Sequence, residues 1–230
     1  MATLYIVATP IGNLEDITFR SVSILKNVDL ILCEDTRTTK KLLTTYAIPT
    51  HTASYNSRST EGKRELIFSL LEEGKDIALV SDAGTPCISD PGVLIVSQVR
   101  ARFGDTVKIV PIPGASALVT ALSGSGIPAS EFVFLGFLPH KKGRETLFSE
   151  IATASRTVVF YESPHRIEKT LASLVIHLSL DRTVVIAREL TKVFEEFVSG
   201  DAVTVAEYFK KNKIKVKGEF VVIVSAKNMK

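Results

Sequence analysis

Residues 77–92 read IALVSDAGTPCISDPG, a short apolar run followed by a segment with two Asp, two Gly and two Pro. Proline removes a backbone donor and glycine frees the backbone, so the polar part cannot continue the strand or form the interior of a helix. We therefore predict a buried strand that ends in a long, shaped loop. In α/β sheets, ligands bind at loops of this kind.

The same arrangement occurs three more times along the chain. Residues 9–13 read TPIGN, residues 111–116 read PIPGAS and residues 161–166 read YESPHR, and each follows an apolar run rich in β-branched residues. These runs alternate with amphipathic helical segments, which is typical of an α/β architecture. We predict strands at residues 4–8, 30–33, 77–81, 107–112, 132–137, 157–161, 184–188, 193–199 and 219–225.

The order of the elements predicts an α/β protein with two α/β domains. The first four strands each lead into a helix, as in a parallel sheet, whereas the last two strands have the pattern of antiparallel partners. This change coincides with a stretch rich in Gly, Pro and Ser at residues 111–128. We expect an N-terminal domain over residues 1–116 with a mainly parallel sheet and a C-terminal domain over residues 117–230 with a mixed sheet. The active cleft would lie between them.

The composition narrows the class of protein. The chain has 230 residues, 45% of them hydrophobic and 23% charged, which is typical of a soluble globular protein. The net charge of +3 is too small to indicate nucleic-acid binding by itself. Two cysteines form no disulfide framework, and we see neither a signal peptide nor an apolar stretch long enough to span a bilayer. We therefore expect a cytoplasmic protein that does not bind a membrane.

Several common chemistries lack their sequence signatures. There is no Walker A motif, no GxGxxG after a strand and no GxSxG nucleophile elbow. The four histidines, at positions 51, 140, 165 and 177, do not have the spacing of metal ligands. Phosphoryl transfer, nicotinamide chemistry, serine hydrolysis and metal-assisted hydrolysis therefore lose support, and we expect no metal.

Two predicted helices begin with cations, which oppose the helix dipole by about 0.3–1 kcal/mol each when they are exposed. One helix begins near Thr36, with Arg37 and Lys40 in or near its first turn. The other begins at Ser163 and Pro164, with His165 and Arg166 in its first turn. Because local rules tend to fail at functional sites, we favour a function over the alternative that these side chains reach only solvent or a neighbouring carboxylate.

Two further charged segments have a structural and a functional interpretation. Residues 188–192, RELTK, follow a buried strand and are either a reaction centre or a solvated, salt-bridged turn. Residues 210–217 contain five lysines, of which Lys213, Lys215 and Lys217 alternate with apolar residues. That alternation is typical of an edge strand protected by charge, an interpretation at least as good as contact with RNA.

Eight motifs together resemble one family over nearly the whole chain. From residue 7 to residue 220 the motifs are VATPIGNLEDIT, CEDTRTTKKLL, ALVSDAGTPCISDPG, PIPGASA, GFLP, FYESPHR, ARELTK and KGEF. With these motifs the chain resembles the ribosomal RNA small-subunit methyltransferase I group, a branch of the tetrapyrrole (class III) methyltransferases.

The resemblance implies a specific activity. Members of this group use S-adenosylmethionine to methylate the ribose 2′-hydroxyl of a cytidine in the decoding region of 16S rRNA. It also implies two α/β domains with the donor bent into the cleft between them, a homodimer, and the small ribosomal subunit as partner. By position in the motifs, the residues that would bind the donor are Pro10, Gly84, Thr85, Pro86, Ile88, Ser116, Ala117, Tyr161, Ala187 and Gly218. Thr85 departs from the family, because relatives have Asp at that position.

Methyl transfer to an alcohol needs alignment of the two reactants and a group that accepts a proton. Positioning supplies most of the effect, and a general base adds about 10²–10⁴-fold. The candidate bases are Glu189, Glu162 and Glu219, and the candidates to stabilise the developing oxyanion are Lys192 and Arg188.

We also expect phosphate contacts with RNA. The candidates are Arg37, Lys40, Arg58, His165 and Arg166. Two alternative functions stay open: methylation of a tetrapyrrole by an enzyme of the same fold, and a non-catalytic RNA-binding or ribosome-assembly module.

Overall fold

The computed structural model describes residues 1–56 and 59–227, and the chain divides into two compact units, Met1–Ser116 and Ala117–Lys230. Each unit is an α/β structure with a five-stranded sheet. No helix in the described ranges is long and apolar enough to cross a membrane.

The first unit has a wholly parallel sheet, which confirms the prediction of a mainly parallel one. Its strands follow the order β3-β2-β4-β1-β5. They are β1 (Thr3–Val7), β2 (Leu30–Cys33), β3 (Thr52–Ser54), β4 (Ile77–Val80) and β5 (Lys108–Ile112). The helices are α1 (Phe19–Asn27), α2 (Thr36–Thr45), α3 (Glu61–Glu72) and α4 (Gly92–Phe103).

Both faces of this sheet are buried, because helices cover each of them. Leu79 of β4 packs in one core cluster with side chains of α3 and α4, and its neighbour Val80 packs in another with side chains of α1 and α2. Strand side chains alternate between the faces, so a strand covered on both sides has a continuous apolar sequence such as IALV. This is why the sequence of β4 could be predicted to form a buried strand.

The strand order defines where a ligand is expected. β1 and β4 are neighbours at the centre of the sheet. The connection that leaves β1 leads to β2 on one side of this pair, and the connection that leaves β4 leads to β5 on the other side. In open α/β sheets, ligands bind outside the carboxyl ends of the strands at such a change of direction.

The second unit has a mixed sheet, as predicted, in the order β6-β7-β10-β8-β9. β6 and β7 are parallel, whereas β10 is antiparallel to β7 and β8, and β9 is antiparallel to β8. The strands are β6 (Phe132–Phe137), β7 (Thr157–Glu162), β8 (Val184–Arg188), β9 (Glu196–Gly200) and β10 (Phe220–Val224). The helices are α5 (Ala117–Ser125), α6 (Arg144–Thr153), α7 (Ile167–His177) and α8 (Ala202–Lys211).

One face of the second sheet carries the main core of this unit, and the other face is contacted by α5. Side chains of α6, α7 and α8 pack with those of the strands in a single cluster. On the other face, α5 contacts β8, β9 and β10. A Cβ on Gly124 of α5 would lie 2.6 Å from Cζ of Phe197, so glycine allows the close approach of this helix.

Two sequence predictions in the second unit are wrong. Lys213–Lys215 is a short 3₁₀ helix and not an edge strand, because the N–H groups of Lys215 and Val216 donate to the carbonyls three residues earlier, at 2.9 and 3.1 Å. The side chains of Lys213 and Lys215 pair with Glu168 and Glu196. The strand predicted at residues 193–199 begins later, at Glu196, because the preceding residues form a hydrogen-bonded turn. Charge and apolar alternation therefore did not distinguish a strand from a hydrogen-bonded turn.

Candidate functional site

The loops that follow β1 and β4 are fixed to each other at one edge of the first sheet. Thr9 N–H donates to the carbonyl of Gly84 at 2.9 Å, and Gly84 N–H donates to the carbonyl of Thr9 at 3.0 Å. The bridge lies beyond the carboxyl ends of the central β1–β4 pair. It therefore holds the TPIGN and SDAGTPCISDPG segments together where a ligand is expected.

Hydroxyl groups tighten the same edge. The Thr9 hydroxyl donates to the carbonyl of Ser81 at 3.0 Å, and the Ser81 hydroxyl donates to the carbonyl of Gly84 at 3.0 Å. The Thr85 hydroxyl donates to the carbonyl of Ala115, in the PIPGAS segment, at 3.1 Å. Three of the predicted loops thus form one hydrogen-bonded edge.

Two glycines allow this close packing. Gly84 has φ +80°, a left-handed conformation that favours glycine, and a Cβ there would lie 3.3 Å from Cγ2 of Ile11 and 3.6 Å from the carbonyl oxygen of Ala115. A Cβ on Gly114 would lie 2.8 Å from Cβ of Ala8. A larger side chain at either position would therefore separate the loops.

The loop after β4 also contains strained backbone. Cys87 and Ser89 have φ +71° and +64°, an uncommon conformation for residues other than glycine. The Asp90 carboxylate stabilises it by accepting hydrogen bonds from the N–H groups of Cys87 and Gly92, both at 2.7 Å. Burial, with a contribution from Asp90, raises the pKa of the Cys87 thiol to about 11. Strained backbone conformations of this kind are common at ligand-binding sites.

Carboxylates cluster at this edge. The backbone N–H of Asp35 donates to Oδ1 of Asp82 at 3.1 Å. Burial raises the pKa of Glu34, and the negative charges of Asp90 and Asp82 raise it further. Among the residues that the structure describes, no group of three or more His, Cys, Asp or Glu is placed to hold a metal ion. The edge is thus an acidic one, suited to a cation.

The predicted cations of α2 are exposed beside this edge. Asp35 caps the helix by accepting a hydrogen bond from the N–H of Arg37 at 2.8 Å. Arg37 and Lys40 line a groove of about 720 Å³. Arg58, the third basic residue predicted in this unit, lies outside the described residues.

Four motifs meet at one edge of the second sheet. In the register of the strands, Phe220 of β10 faces both Glu162 of β7 and Arg188 of β8, and Arg188 faces Glu196 of β9. β6 ends beside the end of β7. The motifs GFLP, YESPHR, ARELTK and KGEF therefore lie side by side, although nearly eighty residues separate the first from the last.

A lysine held between two carboxylates marks this edge. Nζ of Lys192 lies 2.9 Å from Oε1 of Glu189 and 2.8 Å from Oε2 of Glu219. Burial by itself lowers the pKa of Lys192, but the hydrogen bonds to Glu219 and Glu189 outweigh it, so the pKa is raised. Burial by itself raises the pKa of Glu189, but the hydrogen bonds from Lys192 and from the Glu219 backbone lower it. Lys192 and Glu189 are therefore both held in their charged forms.

The turn that presents this lysine is strained. Glu189 and Thr191 have φ +49° and +65°, and the latter is rare for a β-branched residue. Gly218 has φ +87°, and a Cβ there would clash with the carboxylate of Glu189. Glycine at 218 thus permits the Glu189 side chain to lie against the backbone of the KGEF segment.

Arg188 supports the turn from within the unit. Its side chain is buried, and Nη1 donates to the carbonyl of Phe194 at 3.1 Å and lies 3.4 Å from Oε2 of Glu196. Its Nε has no hydrogen-bond partner among the described residues. Arg188 therefore acts first as a brace for residues 189–195.

Glu162 is the centre of a buried ion network. It accepts hydrogen bonds from the Thr170 hydroxyl at 2.5 Å and from the N–H of Ser163 at 2.8 Å. Arg144 and Arg166 contact it at 3.4 and 3.3 Å. Its side chain is fully buried, so the geometry argues against Glu162 as the base that meets a substrate.

His165 and Arg166 do not lie in the first turn of a helix, contrary to the prediction, because residues 163–166 form a hydrogen-bonded turn and α7 begins at Ile167 with Arg166 as its N-cap. The two cations also differ in their surroundings. His165 is exposed. Nη2 of Arg166 donates to the carbonyls of Leu138 and Pro139 at 2.6 and 3.2 Å, and Nε pairs with Glu162. The guanidinium of Arg166 is thus engaged inside the unit, which argues against its role as a phosphate contact.

The residues assigned to the donor by position divide between the two units. In the second, the ring of Tyr161 lies 4.9 Å from that of Phe134 and 5.4 Å from that of Phe137, measured between centroids. Burial raises the pKa of Tyr161, against a hydrogen bond with the Leu118 backbone. Ala187 is fully buried in β8. Ala117 begins α5, and Gly218 lies next to the lysine turn. In the first unit, the loop edge carries Pro10, Gly84, Thr85, Pro86, Ile88 and Ser116.

Sequence reasoning missed three residues at these edges. Glu34 and Asp82 stand inside quoted motifs, so the motifs were the available signal. Arg144 stands in the basic segment HKKGR at residues 140–144, a pattern that is typical of solvated surface. It donates to the Thr170 hydroxyl at 2.7 Å and to the carbonyl of Pro139 at 3.1 Å, and its side chain is 11% exposed. No feature of the sequence separates it from Lys141 and Lys142.

Known proteins resemble this chain in sequence. The family model for tetrapyrrole (corrin/porphyrin) methylases matches residues 3–206. Ribosomal RNA small subunit methyltransferase I of Halalkalibacterium halodurans is 47% identical over 230 residues, which are 99% of this chain and 77% of the relative. The protein of the same name from Thermotoga maritima is 46% identical over 227 residues, 99% of this chain and 100% of the relative.

Solved structures share the fold at low sequence identity. Cobalt precorrin-4 methyltransferase matches with a TM-score of 0.70 at 16% identity, over 97% of this chain and 94% of that one. Uroporphyrin-III C-methyltransferase of Thermus thermophilus, complexed with S-adenyl homocysteine, matches with a TM-score of 0.63 at 17% identity, over 97% of each chain. The chain belongs to the tetrapyrrole methylase family and, within it, to the ribosomal RNA small subunit methyltransferase I group.

Proposed function

We propose that this protein transfers a methyl group from S-adenosylmethionine to the ribose 2′-hydroxyl of a cytidine in the decoding region of 16S rRNA. The names of the relatives support an rRNA substrate. The S-adenyl homocysteine held by one fold neighbour supports the donor, because that compound remains when the donor loses its methyl group. The eight-motif resemblance supports the nucleotide. An rRNA substrate implies the small ribosomal subunit as partner and the cytoplasm as the place of action.

Eight motifs that are separated in sequence meet at two places, and this observation carries the proposal. The first edge is formed by the loops beyond the ends of β1 and β4, and the second edge is formed by the motifs around Lys192. The first edge fits the donor, because S-adenosylmethionine carries positive charge on its sulfonium and amino groups. Asp82 and Asp90, whose negative charges help to raise the pKa of the half-buried Glu34, supply negative charge there. The Thr9–Gly84 bridge leaves backbone without a bulky side chain at the β1–β4 pair. We assign donor contacts to Pro10, Gly84, Thr85, Pro86, Ile88, Ser116, Ala117, Tyr161, Ala187 and Gly218.

The second edge fits the acceptor chemistry. S-adenosylmethionine supplies an electrophilic methyl carbon, whose bond to sulfur breaks as its bond to the ribose oxygen forms. Lys192 is charged and therefore stabilises negative charge on the oxygen, while a carboxylate takes the proton. Glu219 suits that role, because its side chain is 75% exposed, whereas that of Glu189 is 17% exposed and fixed by Lys192 and the Glu219 backbone. Glu189 and Arg188 then position the lysine.

Donor binding tests the first edge. Gly84→Val should abolish binding of S-adenosylmethionine in calorimetry, because a β-branched side chain at φ +80° would separate the loops. The control is Gly62→Val, since a Cβ on Gly62 has no atom within 4 Å. A chelator should leave the wild-type affinity unchanged, because alkyl transfer from a sulfonium needs no metal. Normal binding by a folded Gly84→Val protein would contradict the donor assignment.

The identity of the molecule that accepts the methyl group distinguishes the proposed function from its alternatives. With labelled donor, unmodified small ribosomal subunits should accept methyl groups, and uroporphyrinogen should not. The reverse result would favour the tetrapyrrole alternative, which the fold of the cobalt precorrin-4 methyltransferase makes the natural rival. Binding to subunits without any transfer would favour the non-catalytic RNA-binding module.

We also propose a homodimer. The outer strands β6 and β9 leave sheet edges that a second copy could cover, and Val193 and Phe194 are 94% and 70% exposed in the single chain. Light scattering should give a mass about twice 25.1 kDa. A single species at the mass of one chain would contradict the dimer.

A further inference from the structure

A groove beside α2 is a cavity of the first unit that neither the donor nor the acceptor chemistry uses. It has a volume of about 720 Å³ and lies between α2 and the segment that leads into β3. We call it the α2 groove. It is lined by residues of α2 and by residues 47–52.

The α2 groove is basic. Arg37 and Lys40 lie about one turn apart on α2, and His51 also lines the groove. All three side chains belong to exposed residues. In the described ranges, 1–56 and 59–227, no carboxylate lines the groove, and neither Arg37 nor Lys40 forms an ion pair. Their charges are therefore available to an anion.

The chemistry of the walls favours a sugar-phosphate chain over a small anion. Leu43 and Ile48 are buried and, with the exposed Pro49, give the groove an apolar part. Threonine hydroxyls stand among the cations, and both Thr36 and Thr44 line the groove. Cations for phosphates, hydroxyls for polar sugar atoms and an apolar surface for sugar or base faces are what a single strand of RNA requires.

The position of the groove connects it to the loop edge. α2 begins beyond the carboxyl end of β2, where the Asp35 N–H donates to Asp82 of the loop after β4. From there the helix runs for ten residues, about 15 Å, along the groove. A strand in the groove would therefore lead away from the edge at which the donor is proposed to bind.

We propose that the α2 groove binds the sugar-phosphate backbone of a single-stranded RNA segment that flanks the methylated nucleotide. This inference rests on the proposed rRNA substrate and adds a docking subsite to it. Arg37 and Lys40 contact phosphates. The groove is concave and the apolar side chain of Leu42 is buried, so this surface lacks the exposed apolar face with which amphipathic helices enter membranes.

The test measures how tightly the full-length protein binds a short, fluorescently labelled single-stranded RNA, across a range of salt concentrations. Each phosphate contact with a single strand contributes about 0.7 to the slope of log K against log salt. The Arg37→Ala/Lys40→Ala double variant should reduce that slope by about 1.4 and weaken binding at low salt by at least about tenfold. The matched control, Arg100→Ala/Lys108→Ala, removes two exposed cations that do not line the groove.

A second variant adds charge without removing a cation. Thr44→Glu places a carboxylate in the α2 groove and should weaken RNA binding, while calorimetry should show S-adenosylmethionine affinity within about twofold of the wild type. An unchanged salt slope in the double variant, or an equal loss in the control, would overturn the proposal. So would a loss that affects binding to phosphatidylserine vesicles but not to RNA. If the wild type methylates small subunits while the double variant keeps its salt slope, only this inference fails and the proposed function stands.

Discussion

The helices α2 and α7 both place arginine near their first residue, beyond the end of a strand, yet the two arginines do different work. Arg37 is exposed and lines an open groove. Arg166 pairs with the buried Glu162 and donates to two carbonyls. An arginine near the start of a helix, where it opposes the helix dipole, is thus available to a ligand in the first unit and is part of a buried ion network in the second. A cation at a helix start becomes a functional signal only when its partners are known.

The largest expected effect concerns the network around Glu162. Glu162→Ala removes the carboxylate and leaves Arg144 and Arg166 largely buried without it, which costs about 3–5 kcal/mol of stability. Urea denaturation should show this loss as a lower midpoint with an unchanged slope. Glu168→Ala, which removes a half-exposed carboxylate on α7, is the control and should change stability by less than about 1 kcal/mol. Equal losses of stability in the two variants would show that the buried Glu162 network contributes no more than the exposed Glu168–Lys213 pair.

A second prediction tests the strained turn of the second unit. Gly218→Ala forces a side chain into a left-handed conformation and against Glu189, whereas Gly74→Ala meets only the backbone strain, because nothing lies within 4 Å of a Cβ there. We expect Gly218→Ala to cost at least about 1 kcal/mol more than Gly74→Ala. It should also lower kcat, since Glu189 positions Lys192. If the two variants denature alike and methylate alike, Glu189 does not depend on the glycine.

A third prediction compares the two arginines directly. Arg166→Ala leaves two carbonyls without their donor and should cost about 1–3 kcal/mol, while Arg37→Ala should change stability by less than about 0.5 kcal/mol. In RNA binding the order should reverse, with Arg37→Ala reducing the salt slope and Arg166→Ala leaving it unchanged. A measurable stability loss in Arg37→Ala would show that it is braced like Arg166.

The smallest expected effect is on the rate at which the Cys87 thiol, in the loop after β4, is alkylated. Because the pKa of Cys87 is raised to about 11, its thiolate is scarce at neutral pH and alkylation by a maleimide should be slow. The rate should rise with pH toward that value. Asp90→Asn removes the negative charge that contributes to the raised pKa of Cys87 and should therefore lower that pKa. The alkylation rate would then begin to rise at a lower pH than in the wild type. A fast reaction of the wild type at pH 7 would contradict the shift.

Much of the fold could be predicted from the sequence, because strands buried on both faces have continuous apolar runs. The runs IALV and VVFY fall within β4 and β7. β3 was missed, since its three residues, TAS, are only half buried and carry no pattern. The loops that collect at the two edges were found from their Gly, Pro and charged residues. The partners of Arg144, Arg166 and Lys215 were not, because these contacts join residues distant in sequence or on opposite sides of a turn.

Methyl transfer to rRNA is the proposal on which the assignments above depend, and its most direct test is the chemical identity of the product. Small ribosomal subunits that lack the modification would be incubated with labelled S-adenosylmethionine, and the nucleoside and its position would be identified by mass spectrometry. The wild type should yield one 2′-O-methylcytidine in the decoding region. Lys192→Ala should lower the rate by about 10²–10⁴-fold, and the Lys141→Ala control, which removes an exposed lysine, should not. A methyl group on a base, on another RNA region or on no RNA at all would contradict the account.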